Sequence, residues 1–313
     1  MHVLGIDAGG TKTLCLLADE HGAVVGEGRG PGANLHVAGE LELEKVVHEV
    51  MEQAIGDRAI APAAICLGIA GVDREDEART VRAIMRRIGY KSRTLVVNDA
   101  LIALVAAAGD APGVVIIAGT GAIVYGRNGA GEAARAGGWG HMIGDEGSGY
   151  WIGREALSAV MRASDGRGPD TRLTPEILAH FEVADVSRLP RLVYDRAQPR
   201  MAVAALGPLV QRVSEQGDAV AARILERAAD ELALAAGSVT ARLEMRGDAF
   251  SFYLAGAIFR LVPWLAGELS RRLIEVAPRC GVQLLDQEPA QGAVRLALAE
   301  ARGGALVPAY KKV

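Results

Sequence analysis

Two short glycine turns are the segments of this chain whose residue types could bind a phosphate. The first, Ala8-Gly-Gly-Thr-Lys-Thr13, follows an apolar run that ends at Asp7, and the second is Ala118-Gly-Thr-Gly121. Adjacent glycines leave backbone N–H groups open to an anion, and Thr11 and Thr13 add hydroxyl donors. The Asp7 carboxylate could hold Mg²⁺ against the phosphates. One such turn alone is more often a plain hairpin, but two could grip the two ends of a triphosphate.

Rival nucleotide-binding motifs fit these turns less well. A Walker A loop requires Gly-Lys and then Ser or Thr before a helix, whereas Thr11 separates Gly10 from Lys12 and a strand-like run follows. Gly119-Thr-Gly121 begins a dinucleotide fingerprint, but Val124 occupies the third glycine position. Both motifs require a helix after the glycine turn, whereas a strand-like run follows each turn in this sequence.

Carboxylates elsewhere in the chain could supply acid–base and sugar chemistry. Transfer of a phosphoryl group to a hydroxyl needs a carboxylate that accepts the proton. Asp99 follows the short strand Thr94–Val97, and we expect it at the N-cap of the next helix, where the backbone holds it rigidly. Alternatively, Asp99 only caps the helix and has no catalytic role. Asp145 and Glu146 stand together in a glycine-rich loop that suits recognition of neighbouring sugar hydroxyls, or that is only the solvated start of a helix.

The elements that must position these residues alternate between strands and helices, which is typical of an α/β protein. The strand–glycine turn–strand element occurs twice, so the sequence predicts a duplicated architecture. From residue 150 onward helices dominate. The predicted strands are His2–Asp7, Thr13–Ala18, Ala23–Glu27, Ala64–Ile69, Thr94–Val97, Gly113–Ala118, Ala122–Tyr125 and Ser251–Ala255, and the predicted helices cover 40–55, 75–88, 99–108, 219–243, 260–277 and 290–302.

Composition excludes several classes of protein. A chain of 313 residues is expected to form two domains. A net charge of −4 without a basic tract argues against a nucleic-acid partner, and the ending Tyr310–Lys312 is interpreted as a solvated tail. Cys15, Cys66 and Cys280 are far apart in sequence, which argues against a disulfide framework or zinc site. The chain shows no signal peptide or membrane span, so we expect a cytoplasmic protein without a membrane partner.

A spaced set of motifs resembles the sugar kinase/Hsp70/actin superfamily. The motifs are Gly5–Lys12, Asn98–Ala100, Ile117–Gly121 and Leu254–Ala257. The segment Gly137–Ser148, here called the sugar loop, is similar to that of N-acetylglucosamine kinases in the BadF/BadG/BcrA/BcrD group. This resemblance implies two ribonuclease-H-like, actin-like ATPase domains with a cleft between them. It places the first domain at 1–111, braced by the helix 290–302, and the second at 112–289, with helical insertions.

The resemblance also implies the activity and its residues. It predicts an ATP- and Mg²⁺-dependent kinase, expected to be a homodimer, that transfers the γ-phosphoryl group to an amino sugar, with N-acetylglucosamine and its 6-hydroxyl as the leading acceptor. Asp99 would be the general base and Asp7 the metal ligand. ATP would contact Gly9, Gly10, Thr11, Lys12, Thr13, Gly119, Thr120, Gly121, Gly217, Ala255, Gly256, Ala257, Ile258 and Phe259. The sugar would contact Asn34, Leu35, Gly71, Asp99, Gly138, Trp139, Gly140 and Asp145, although the segment Gly71–Asp73 is equally typical of a plain turn.

Other functions remain open at this point. Ala122 and Ile123 stand where animal members carry polar residues that contact the sugar, so glucosamine, a muramic-acid sugar or glucose are alternative acceptors. Relatives that activate radical dehydratases by ATP hydrolysis need paired cysteine ligands for an iron–sulfur cluster, which this sequence does not offer. A sugar sensor without catalysis is the second alternative. His141 is interpreted as a packed residue and not a metal ligand, because no metal-binding spacing surrounds it.

Overall fold

The computed structural model describes residues 1–35, 39–194 and 200–311. None of the helices in these ranges has the length and apolar character that crossing a bilayer requires. The strands are β1 His2–Ala8, β2 Lys12–Asp19, β3 Val24–Pro31, β4 Ala64–Ile69, β5 Arg93–Asn98, β6 Gly113–Ala118, β7 Ala122–Arg127, β8 Glu132–Gly137, β9 Ser251–Ala255, β10 Gly281–Leu284 and β11 Ala309–Tyr310. The α-helices are α1 Glu40–Ile55, α2 Glu75–Arg87, α3 Asp99–Ala108, α4 Gly149–Ser164, α5 Leu173–His180, α6 Leu189–Tyr194, α7 Arg200–Ala204, α8 Gly207–Glu215, α9 Ala219–Arg242, α10 Ile258–Leu261, α11 Pro263–Val276 and α12 Pro289–Arg302.

The first sheet has the strand order β3-β2-β1-β4-β5. Short turns join β1 to β2 and β2 to β3, so these pairs are antiparallel. The helices α1 and α2 provide the crossovers that allow β4 to run parallel to β1 and β5 parallel to β4. In the register, Ala8 lies opposite Ile69, and Ile69 lies opposite Asn98. The carboxyl ends of β1, β4 and β5 therefore meet at one edge of the sheet.

Glycines allow α12 to pack directly on the backbone of β1 and α3. A Cβ atom at Gly5 in β1 would overlap the backbone nitrogen of Val294, and one at Gly292 would overlap the carbonyl oxygen of Ile102. Side chains at these positions would push the helix away from the sheet. The two glycines thus fix the position of α12 on the first sheet.

The second sheet has the order β10-β9-β6-β7-β8-β11. Its strands β8-β7-β6-β9-β10 repeat the sequence-order pattern of β3-β2-β1-β4-β5, which confirms the predicted duplication. Sequence reasoning missed β8, β10 and β11. Alanine-rich β8 lacks the β-branched residues that mark a strand, and β10 and β11 are very short.

Two interpretations of the C-terminal third were wrong. The helix predicted at 260–277 is divided, because Pro263 begins α11 and leaves α10 as a separate turn of helix. The end of the chain was taken as a solvated tail, yet Ala309 and Tyr310 form β11 on the edge strand β8.

The chain divides into two compact units. The first unit comprises Met1–Val115, Tyr125–Ala134 and the segment from Leu285 onwards, and the second comprises Ile116–Val124 and Arg135–Leu284. The domain limits implied by the resemblance, 1–111 with helix 290–302 and 112–289, stay a prediction.

Candidate active site

The first glycine turn, Gly9-Gly10-Thr11, lies at the end of β1. The N–H of Gly9 donates to the carbonyl of Lys12 at 3.1 Å and closes the hairpin, so it is not open to an anion as predicted. Gly10 and Thr11 are exposed. A Cβ atom at Gly10 would meet nothing within 4 Å. Since nothing in the protein crowds Gly10, the space above it is available to a ligand.

Thr13 does not present its hydroxyl as an anion donor. Its side chain is buried, and its hydroxyl donates to the carbonyl of Pro31 at 2.7 Å. The residue therefore stabilises the pairing of β2 with β3. Lys12 is exposed, and its ammonium group pairs with Glu288 at 2.7 Å.

The loop that carries Asn34 and Leu35 lies against this turn. The N–H of Ala33 donates to the carbonyl of Gly9 at 3.1 Å. A Cβ atom at Gly32 would overlap the carbonyl of Gly10, so the two backbones approach closely. Leu35 packs on the buried core of the first unit. The fold thus brings a predicted sugar-binding loop together with a predicted phosphate-binding turn.

Asp7 and Asp99 lie at the edge where the parallel strands end. Asp7 is only 8% exposed near the end of β1, and Asp99 is partly buried directly after β5. The N-cap prediction for Asp99 was wrong by one residue, because the Asn98 side chain accepts from the N–H of Ala100 at 2.8 Å and is itself the cap. Asp99 is therefore the first residue of α3. Gly71, with a φ of 86°, follows β4 at the same edge.

Burial and a neighbouring negative charge make both carboxyl groups weak acids. Burial first, and then the negative charge of Asp73, raise the pKa of Asp99 to about 6, although backbone hydrogen bonds oppose the rise. Burial first, and then the charge of Asp99, raise the pKa of Asp7 to about 7, with Lys12 lowering it and Glu288 raising it. A cation close to Asp7 would relieve this repulsion.

The second glycine turn, Gly119-Thr120-Gly121, is surrounded by close backbone contacts. The N–H of Gly119 donates to the carbonyl of Gly121 at 2.9 Å, and the N–H of Gly149 donates to the carbonyl of Gly119 at 2.8 Å. Gly256, after β9, has a φ of 100°, and a Cβ atom there would overlap the carbonyl of Ala118. The start of α4 and the end of β9 are thereby fixed against this turn.

The remaining residues of the predicted nucleotide pocket have different exposures. Ala255 ends β9 and is buried, whereas Ala257 is exposed. Ile258 and Phe259 are buried in α10. Gly217, with a φ of 88°, lies between α8 and α9. Ala255–Phe259 is brought to the second glycine turn through Gly256.

Asp145 is held inside the sugar loop and against the second glycine turn. It is 5% exposed, has a φ of 61°, and accepts hydrogen bonds from the N–H groups of Ala122 and Gly140. A Cβ atom at Gly121 would lie 2.8 Å from a carboxylate oxygen of Asp145. Burial raises the pKa of Asp145. Glu146 is exposed, so the two adjacent carboxylates do not act as a pair.

Glycines in the left-handed region of backbone conformation shape the rest of the sugar loop. Gly138 and Gly140 have φ values of 72° and 83°, and the N–H of Gly138 donates to the carbonyl of Ala122 at 2.9 Å. Trp139 is 56% exposed, with the guanidinium of Arg135 lying 4.1 Å from its ring. The loop therefore presents backbone and an aromatic ring. His141 packs edge-on against Tyr150 and contacts Arg200, as expected for a packed residue.

Sequence reasoning missed Glu288 and Tyr310 as functional groups, and it considered Asp73 only within the segment Gly71–Asp73, as a sugar contact or a plain turn. Asp73 lies in the loop that follows β4, and its place after a buried strand was a usable signal. Glu288 precedes the proline that begins α12, and its proximity to Lys12 depends on tertiary structure. No sequence feature marks Tyr310 as functional, because its hydrogen-bond partner Asp73 is distant in sequence.

Comparison with known proteins now assigns the family. The sequence matches the BadF/BadG/BcrA/BcrD ATPase family over residues 4–297. The chain belongs to this family. Membership confirms the resemblance that the motifs predicted.

Two curated relatives of this family member match nearly their whole length. The N-acetylmuramic acid/N-acetylglucosamine kinase of Clostridium acetobutylicum is 34% identical over 303 residues, which cover 96% of this chain and 99% of the relative. The N-acetyl-D-glucosamine kinase of Dictyostelium discoideum is 34% identical over 310 residues, which cover 94% of this chain and 97% of the relative.

Solved structures support the fold assignment. A provisionally assigned N-acetylglucosamine kinase from Chromobacterium violaceum has a TM-score of 0.77 at 26% identity, covering 95% of this chain and 98% of that chain. A ROK family glucokinase from Streptomyces griseus has a TM-score of 0.57 at 17% identity, covering 97% of this chain and 100% of that chain, and shares the fold. The predicted α/β fold of the actin-like ATPase type, with its two ribonuclease-H-like sheets, is confirmed.

Proposed function

We propose that this chain is an ATP-dependent kinase that phosphorylates an amino sugar, with N-acetylglucosamine as the leading acceptor. The observation that carries the proposal is the carboxylate pair Asp7 and Asp99 at the edge of the first sheet, beside a glycine turn to which the Asn34 loop is attached. The names of the relatives from C. acetobutylicum and D. discoideum support the same substrate class.

Asp99 is proposed as the general base. With a pKa of about 6, its carboxyl group is ionised at neutral pH, yet it is more basic than an exposed aspartate. Such a group can accept the proton of the attacking hydroxyl, which we propose to be the 6-hydroxyl of the sugar. Because Asp99 begins α3 directly after Asn98, which caps that helix, its backbone is fixed before the sugar binds.

Mg²⁺ fits the chemistry of Asp7. Among the described residues no cluster of three or more His, Cys, Asp or Glu side chains is arranged to hold a metal ion. Magnesium in phosphoryl-transfer enzymes commonly uses one or two carboxylates together with waters and substrate phosphates, so a single buried carboxylate suffices. When bound, the ion would neutralise phosphate charge. Asp7 would hold it. The pKa of Asp7 is raised first by burial and then by the negative charge of Asp99, and a cation would offset that charge.

Residues of each unit are proposed to bind ATP and the sugar. Gly10, Thr11, Thr120 and their neighbours would bind the phosphates of ATP, and Ala255–Phe259 with Gly217 would bind its nucleoside. Asn34, the backbone of Gly138–Gly140 and Asp145 would bind the sugar. Asp145 would act from its buried position against Gly121, so sugar and phosphate recognition would be coupled in the second unit. A homodimer stays a prediction.

The competing role as a dehydratase activator lacks suitable ligands in the described residues. Cys15 and Cys66 are buried in strands of the first sheet, and Cys280 is partly buried and distant from both in sequence. Burial raises the pKa of all three thiols. A thiol that resists ionisation is a poor ligand for an iron–sulfur cluster.

The proposal is tested by ADP release with Mg²⁺-ATP and a panel of N-acetylglucosamine, N-acetylmuramic acid, glucosamine and glucose. We expect sugar-dependent turnover with the highest kcat/KM on an N-acetylated amino sugar. Highest kcat/KM on glucosamine or glucose would keep the kinase and change its acceptor. Sugar-independent ATP hydrolysis, or no turnover with any sugar, would contradict the proposal.

A further inference from the structure

Asp73 is a carboxylate that the proposed chemistry does not use, although it lies beside the proposed base. It follows β4 at the carboxyl edge of the first sheet, and its charge is one of the causes that raise the pKa of Asp99. One oxygen, Oδ1, accepts a hydrogen bond from the Tyr310 hydroxyl at 2.9 Å and another from Nδ2 of Asn98 at 3.0 Å. Asp73 therefore joins the loop after β4 to Asn98 at the end of β5 and to Tyr310 of the last strand.

Asn98 transmits this constraint to Asp99. Its amide nitrogen donates to Asp73, and its amide oxygen accepts from the N–H of Ala100 at 2.8 Å. Both ends of the side chain are thus engaged, which fixes its orientation. Asp99 lies between Asn98 and Ala100 in sequence, so the Asp73–Asn98 hydrogen bond helps to set the direction in which α3 presents the base.

Tyr310 is itself held firmly. It pairs with Ala133 of β8, and the next residue, Lys311, donates its N–H to the carbonyl of Ala133 at 2.8 Å. Its ring meets that of Tyr125 edge to face, with centroids 6.1 Å apart. The hydroxyl therefore reaches Asp73 from a side chain whose backbone and ring are both fixed.

We propose that Asp73 is a positioning residue for the general base Asp99, and that Tyr310 of the last strand fixes Asp73 in the orientation this requires. The inference rests on the proposed function through the role of Asp99. It assigns a catalytic purpose to β11, whose two residues add little to the second sheet. Neither Asp73 nor Tyr310 needs to touch the sugar or ATP.

Steady-state kinetics of Tyr310→Phe in the full chain tests the proposal. This change removes one hydroxyl and keeps the ring contact with Tyr125. We expect kcat to fall about threefold to tenfold, as a lost hydrogen bond to a charged group allows, with the KM values for ATP and sugar within about twofold of wild type. Tyr90→Phe is the matched control, because Tyr90 also donates to a carboxylate of the first unit, Glu52, at 3.0 Å. It should leave kcat unchanged.

A double-mutant cycle separates positioning from simple stability. If Tyr310 acts through Asp73, Asp73→Ala combined with Tyr310→Phe should have the same kcat as Asp73→Ala alone. Independent, multiplying losses would overturn the proposal. So would an unchanged kcat for Tyr310→Phe, which decides the question even if Asp73→Ala fails to fold. A wild-type protein without sugar-dependent turnover would instead overturn the proposed function, and this inference with it.

Discussion

The two glycine turns share a strand–turn–strand frame but differ in what surrounds them. The first turn lies near charged groups, with Asp7, Asp99, Lys12 and Glu288 interacting around it. The second is enclosed by backbone, through Gly149 and Gly256, and its buried neighbour Asp145 is held by backbone N–H groups. The same strand–turn–strand element therefore has charged groups around it in the first unit and close backbone contacts around it in the second.

The two turns should therefore respond to different substitutions. Around the first turn, changes of charge should alter catalysis, because burial and neighbouring carboxylates raise the pKa values of Asp7 and Asp99. Around the second turn, changes of volume should alter stability, because several backbones approach more closely than a side chain permits. Substitutions at the two turns test this division.

The largest expected effect follows from replacing the proposed base. Asp99→Asn keeps the size of the side chain but removes its ability to accept a proton. We expect kcat to fall by about 10²- to 10⁴-fold, while calorimetry shows sugar binding within a few-fold of wild type. Asp57→Asn, which alters an exposed carboxylate of the same unit, is the control and should be fully active. Undiminished kcat in Asp99→Asn would exclude it as the base.

A change of volume at the second turn should mainly reduce stability. Gly256→Ala places a Cβ atom 2.7 Å from the carbonyl carbon of Ala118 and requires a left-handed φ, so we expect a loss of about 3 kcal/mol or more in the free energy of unfolding. Gly119→Ala is the matched comparison, because a Cβ atom there meets nothing within 4 Å. It should unfold like wild type but raise the KM for ATP. Equal stability of the two variants in thermal denaturation would contradict the packing argument.

A smaller effect is expected on stability, because the folded protein buries the carboxyl group of Asp7 beside the first glycine turn. The raised pKa of Asp7 means that the folded state disfavours its ionised form, so this penalty is absent below about pH 4 and grows as pH rises through about 7. Without Mg²⁺ or ATP, Asp7→Asn should stabilise the protein at pH 8, by an amount on the order of 2 kcal/mol. The gain should vanish at pH 4. Denaturation curves at both pH values check this, and a gain independent of pH would show that charge is not the cause.

Local sequence patterns were sufficient to predict many of the strands and helices of the fold. Apolar runs ending in glycine turns predicted β1, β2, β6 and β7, and helical spacing predicted α1 and α9 almost to the residue. These elements are governed by local periodicity. β8 was missed because its alanines have no strand preference, and β11 because its pairing depends on a partner far along the chain.

The candidate site was less accessible from sequence because it depends on side-chain partners. Asp99 could be singled out by its place after a strand, but the hydrogen bond that makes Asn98 the cap could not be foreseen. Thr13 shows the reverse, since a residue type that suits phosphate binding is used inside the hairpin. The pairing of Asp73 with Tyr310 arises only when the first unit is folded.

The first glycine turn, with Asp7 and Asp99 beside it, is proposed to support phosphoryl transfer to an amino sugar. The most direct measurement is identification by mass spectrometry of the product formed from ATP, Mg²⁺ and N-acetylglucosamine, with parallel measurement of ADP. We predict one sugar phosphate for each ADP in the wild-type reaction, and both products formed at least about a hundredfold more slowly with Asp99→Asn. Release of ADP and inorganic phosphate without a sugar phosphate would contradict the claim and indicate an ATPase.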